Sequence, residues 1–77
     1  MQTLDQLMPG EWGCAKEHSV ERLKQLGLTA ETKILCLQKS PFRDPVSYEF
    51  RGSVFAIRKK DAEKIPIIKD GEEWSWD

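Results

Sequence analysis

The chain has 77 residues, 39% hydrophobic and 32% charged, with a net charge of 12 − 13 = −1. That length supports one domain that buries about 60–65% of its unfolded surface, which leaves little room for a deep catalytic cleft. No apolar run approaches the ~20 residues a membrane helix needs, and the first residues, MQTLDQLMPGEWG, lack the basic start and apolar stretch of a signal peptide.

In chain order, Thr3-Leu4-Asp5-Gln6 has the order of a capping box, with Thr at N-cap and Gln at N3. Pro9-Gly10 limits this helix to a short turn, and Leu4, Leu7 and Met8 are spaced to give that turn one apolar face. Residues 11–17 are compatible with a short strand that puts Trp12 and Cys14 on one side. The spacing then predicts a helix over Ser19–Leu26, with Ser19 as N-cap, Glu21 in the first turn and a stripe of Val20, Leu23 and Leu26. Gly27 fits the position just past its end, with Leu23 and Leu28 as the apolar pair of a Schellman ending.

Beyond Gly27 the period changes to two. Thr32–Gln38 reads as a strand, and Ser40–Pro45 as a loop bounded by two prolines. Val46–Arg51 and Val54–Lys59 read as a hairpin around a Gly52-Ser53 loop, pairing Phe50 with Phe55 and Tyr48 with Ile57. Tyr48, Phe50, Phe55 and Ile57 then share one face, with Ser47, Glu49, Arg51 and Arg58 on the other. Asp61 is placed to cap a single helical turn over residues 60–64, and Ile65–Ile68 reads as an edge strand, where Pro66 is tolerated. Residues 70–77 read as an acidic tail carrying Trp74 and Trp76, set either to fold back or to dock on a partner. Four or five short strands in so small a chain predict a mainly β fold: a bent sheet closed into a small barrel over residues 1–69, with one or two short helices near the N-terminus.

Charge is unevenly distributed: −3 over residues 1–21 (one base, four acids), +6 over 22–60 (nine bases, three acids) and −4 over 61–77 (two bases, six acids). The ends are expected to neutralise part of the middle. The net charge argues against a nucleic-acid partner. Nothing spells a nucleophilic triad or a phosphate loop, since there is one histidine and the five glycines are scattered. No enzyme is expected. Cys14 and His18 sit at a workable spacing for metal ligands, and Cys36 is either a third ligand or a small core residue. Two cysteines make no disulfide scaffold, and both are read as thiols. Phe42, Arg43 and Asp44, in the proline-bounded loop, are the candidate partner-binding residues.

Several of these pieces together resemble the FeoA family of ferrous iron transport protein A domains. They are Leu23-x-x-Leu26-Gly27-Leu28-Thr29, the strand Lys33–Leu37, Ser40-Pro41-Phe42-Arg43-Asp44-Pro45-Val46, Arg51-Gly52, Phe55-Ala56-Ile57-Arg58 and Asp61-Ala62…Ile65, preceded by Thr3-Leu4…Leu7…Pro9-Gly10-Glu11. Ala30-Glu31 stands where that family usually has Pro-Gly. The resemblance implies an SH3-like barrel and a cytoplasmic, non-enzymatic accessory role in bacterial ferrous iron uptake. It also implies the cytosolic GTPase region of a FeoB-type transporter as partner, with no membrane insertion of its own. The family has no agreed catalytic residues to transfer. No cofactor is expected, weak Fe²⁺ binding aside. The alternatives are a small Fe²⁺ carrier using Cys14, His18 and nearby acids, or a generic SH3-like protein-binding module.

Overall fold

In a computed structural model that describes residues 2–39 and 44–70, six strands form: β1 (Gln2–Thr3), β2 (Trp12–Ala15), β3 (Thr32–Lys39), β4 (Val46–Phe50), β5 (Ser53–Ile57) and β6 (Pro66–Lys69). A 3-10 turn covers Leu4–Gln6, and two short helices are α1 (Glu21–Gln25) and α2 (Lys59–Ala62). The strands make one antiparallel sheet in the order β1-β6-β2-β3-β4-β5. The strand beyond the expected five is β1, whose two residues are too few to carry a period-two signal.

The sheet curls. In this order β1 and β4 are four strand spacings apart, about 19 Å along a flat sheet. Yet the Tyr48 hydroxyl on β4 donates to the carbonyl of Leu4, just past β1, at 3.3 Å. A one-residue irregularity in β3 between Cys36 and Gln38 contributes to the bend. Inside the curl lie Leu4, Leu7, Leu23, Leu28, Ile34, Cys36, Tyr48, Phe50, Ile57, Ile65 and Ile67, all at most 2% exposed. They alternate along the strands with outward residues, so the period-two pattern does place the core.

The end of α1 forms as its residues dictate. Gly27 has φ +104°, its amide donates to Lys24 O at 3.0 Å, and Leu28 N donates to Leu23 O at 2.9 Å. This is a Schellman ending, with Leu23 and Leu28 both buried. Its beginning differs from expectation. The helix starts after Val20, and Ser19 makes no cap. His18 Nδ1 instead accepts the Val20 amide at 3.0 Å. With five residues the helix is too short to keep the stripe buried, and Leu26 is 44% exposed. Met8 is 52% exposed for a similar reason, because the chain turns extended at Leu7 and helical spacing ends there.

The hairpin has the expected faces but a different turn. Tyr48 pairs with Phe55, Val46 with Ile57 and Phe50 with Ser53, so the loop is Arg51-Gly52 rather than Gly52-Ser53. Both loop residues have positive φ, 52° and 79°, which is the turn whose twist matches a hairpin. The loop moves back one residue, so each β4 residue pairs two positions earlier on β5. A shift of two preserves the faces, and Phe50 and Phe55 become diagonal neighbours, stacked with centroids 4.4 Å apart.

Two further expectations are corrected. Asp61 does not cap α2, whose N-cap is Arg58; it lies within the helix, buried, and pairs with Arg22 of α1. And β6 is not an edge strand but runs between β1 and β2. Pro66 is tolerated because it is the strand's first residue, and its carbonyl still accepts the Lys16 amide at 2.8 Å.

Candidate interaction surface

The hairpin register brings two distant positions together. Val46 opposes Ile57, so two residues further out Asp44 comes opposite Lys59, whose amide donates to Asp44 Oδ1 at 2.8 Å. Asp44 is exposed, and so are Arg58, Lys59 and Lys60 beside it. This end of the domain therefore presents three consecutive cations around a carboxylate that is fixed in place. Phe42 and Arg43, the other two residues expected at this surface, lie outside the described residues.

Most remaining cations of the basic middle are occupied. Lys24 pairs with Glu17 at 3.3 Å, Lys33 with Asp70 at 2.8 Å, and Arg22 with Asp61. Arg51 donates from Nε to Gly27 O at 2.6 Å and from a terminal nitrogen to Thr29 Oγ1 at 3.2 Å. The acidic ends thus neutralise part of the middle, as the charge blocks suggest. Arg58, Lys59 and Lys60 make no ion pair with another described residue. Sequence reasoning absorbed these three into a strand end and a turn. The signal that would have found them is the uninterrupted Arg-Lys-Lys run inside the +6 block.

Cys14 and His18 are both buried but face different partners. The His18 ring accepts Val20 N–H at Nδ1, so Nε2 carries the proton and donates to Leu28 O at 2.7 Å. Both ring nitrogens are thereby committed to the backbone at the two ends of α1. The Cys14 thiol instead lies 3.5 Å from Glu31 Oε1, and Lys16 Nζ reaches the same carboxylate at 3.1 and 3.2 Å. Lys16, with the Cys14 thiol, holds the Glu31 carboxyl below its ordinary range. Glu31 takes a left-handed φ of 67°, at the place where the resemblance leads one to expect glycine. Among the described residues no group of three His, Cys, Asp or Glu side chains is placed to hold a metal ion. Cys36 is fully buried within the apolar core. None of the described helices is long and apolar enough to cross a membrane.

Comparison with known proteins places this geometry. The profile of the FeoA domain matches residues 3–69. A crystal structure of an iron uptake regulatory protein (FeoA) is 27% identical with a TM-score of 0.79, over 88% of this chain and 94% of that one. Iron(II) transport protein A of Clostridium thermocellum is 25% identical with a TM-score of 0.85, over 91% of this chain and 46% of that one. A zinc-complexed FeoA of Stenotrophomonas maltophilia, described as a prokaryotic SH3-domain protein, is 20% identical with a TM-score of 0.74 and shares the fold over 87% of this chain and 89% of that one. No curated protein matches the sequence.

Proposed function

The chain belongs to the FeoA family, which is associated with ferrous iron transport, and from that membership we propose that it is a cytoplasmic, non-enzymatic accessory protein that binds the cytosolic GTPase region of a FeoB-type transporter and modulates transport. The observation that carries the surface is the basic end at Arg58, Lys59 and Lys60, exposed and without an ion pair among the described residues. Asp44, held by the Lys59 amide, anchors the chain where it enters β4. Phe42 and Arg43 in the proline-bounded loop are of the residue types that dominate interface energetics. A surface of this sign would steer an acidic partner toward it and make association salt-dependent.

Titration calorimetry against the soluble domain of the transporter tests the reading. The Lys59→Glu/Lys60→Glu variant should bind about tenfold more weakly and with a smaller salt dependence, each reversed rim charge contributing about 1 kcal/mol or less. Arg43→Glu should act in the same direction, and Phe42→Ala should lower affinity rather than stability. Wild-type binding that none of these variants weakens would place the contact elsewhere; no binding by the wild type would remove the partner.

A further inference from the structure

Among the described residues the sheet has an open edge. β5 ends the strand order, with β4 on one side and no described strand on the other. The Arg51-Gly52 loop makes Phe50 and Ser53 a hydrogen-bonded pair, and Tyr48–Phe55 and Val46–Ile57 follow in alternation. Ser53, Phe55 and Ile57 therefore bond β4, while the N–H and C=O groups of Val54 and Ala56 point away from the sheet. None of these four groups has a hydrogen-bond partner among the described residues. Both residues are exposed, Val54 by 60%. Between them Phe55 is half-buried and packed against the core. Exposed edges are normally blunted by charge, proline or a bulge. Ser53–Ile57 holds no charged residue and no proline, and it pairs with β4 without irregularity. Residues 40–43 and 71–77, with Trp74 and Trp76, lie outside the described residues.

We propose that the outer edge of β5 takes up an extended acidic segment of a partner protein as an additional antiparallel strand. Pairing supplies partners to the four groups of Val54 and Ala56, and the partner residue opposite Phe55 covers that ring from its open side. Charge sets the occupant. The edge runs directly into Arg58, Lys59 and Lys60, which are exposed and make no ion pair among the described residues. A segment whose acidic residues precede its apolar stretch meets these cations when it runs antiparallel to β5. A second copy fits poorly. In the two-fold register that uses all four groups, Val54 pairs with Ala56, and Lys59 stands opposite Arg51 at either end, like charge against like. The acidity of the partner rests on the basic surface proposed above; the open edge does not.

Amide exchange and calorimetry on the full chain test this. In the free chain the Val54 and Ala56 amides should exchange fast, and those of Phe55 and Ile57 slowly. The probe is an acetylated peptide of three acidic residues followed by alternating valine and threonine. It should slow exchange at Val54 and Ala56 about tenfold or more, and a version with lysines for the acids should bind more weakly. Ala56→Pro removes an outward N–H without touching the β4 ladder, and should weaken both the peptide and the transporter's soluble domain about tenfold. Val54→Pro does the same at the other outward amide, should the first variant fail to fold. If Lys59→Glu/Lys60→Glu weakens the transporter domain and the proline variants do not, the basic surface stands and the edge is overturned. If the transporter domain does not bind but the peptide protects both amides, that partner falls and the edge stands. Absence of protection at millimolar peptide overturns the edge, and equal binding of the lysine version overturns the acidic occupant. Val54 and Ala56 amides already protected in the free chain overturn the proposal as well; protection that vanishes on dilution makes a second copy the occupant.

Discussion

The Arg51 side chain lies across Gly27: a Cβ at Gly27 would meet Arg51 Cδ at 2.8 Å, and Arg51 Nε donates to Gly27 O at 2.6 Å. One contact thus joins the end of α1 to the hairpin turn. Gly27→Ala would have to hold φ +104° with a side chain, which costs about 1–2 kcal/mol, and would also displace Arg51. Urea melts of Gly27→Ala, Arg51→Ala and the double variant separate the two contributions. The double variant should lose less than the sum of the singles. Strict additivity would show that the steric contact is not felt.

Phe50 is 2% exposed and stacked on Phe55, whereas Val54 projects outward and is 60% exposed. Phe50→Ala should cost about 3–5 kcal/mol, most of what a domain this small holds in reserve. Val54→Ala should stay within about 0.5 kcal/mol. Equal losses in urea would show that the faces of the hairpin are assigned wrongly.

Tyr48 is the only tyrosine in the chain, and burial pushes its phenol well above the ordinary value. The folded state therefore binds this proton more tightly than the unfolded state does. The sign follows from linkage: the contribution is complete below the ordinary tyrosine pKa of about 10 and is lost as pH rises beyond it. Stability should fall above about pH 10, and absorbance at the phenolate band should rise only together with unfolding. Tyr48→Phe should remove that pH dependence and cost about 0.5–1.5 kcal/mol for the lost bond to Leu4 O.

His18→Ala removes a buried bond to Leu28 O and a partly buried one from Val20 N–H, and should cost about 2–3 kcal/mol by thermal or chemical melting. The ring's ¹⁵N shifts should report a protonated Nε2. A protonated Nδ1 in the native state would contradict the bond to Val20.

Folding should proceed without metal, because the apolar residues form one continuous core. Circular dichroism and NMR dispersion should persist in excess chelator, and Cys14→Ser should stay folded. Loss of structure on chelation, as in a zinc-dependent fold, would return Cys14 to the list of ligands.

What could be read from the sequence were features with local causes. Gly27 with Leu23 and Leu28 specifies its helix ending within six residues, and alternation specifies the faces of β4 and β5. What could not be read depends on distant contacts. Arg51 accepts a left-handed φ because its side chain bonds Gly27 and Thr29, and nothing within the hairpin announces them. Ser19 is the better N-cap by propensity, but His18 reaches Val20 and Leu28 at once. For the same reason Cys14 and His18 could be paired on paper, although each is directed to a different neighbour. Asp44 was legible as a partner-binding candidate, but its bond to the Lys59 amide came only from the hairpin register.

The placement of β6 between β1 and β2 has a kinetic consequence. Among the described residues, Gln2 and Thr3 find their strand partners in Ile67 and Pro66, so the pairing of β1 waits until synthesis has passed those two residues. The β4–β5 hairpin can close as soon as its own residues are available, while the strands at 2–3, 12–15 and 66–69 must assemble later across long loop closures. In hydrogen exchange those three segments should open together as one cooperative unit, separate from the hairpin.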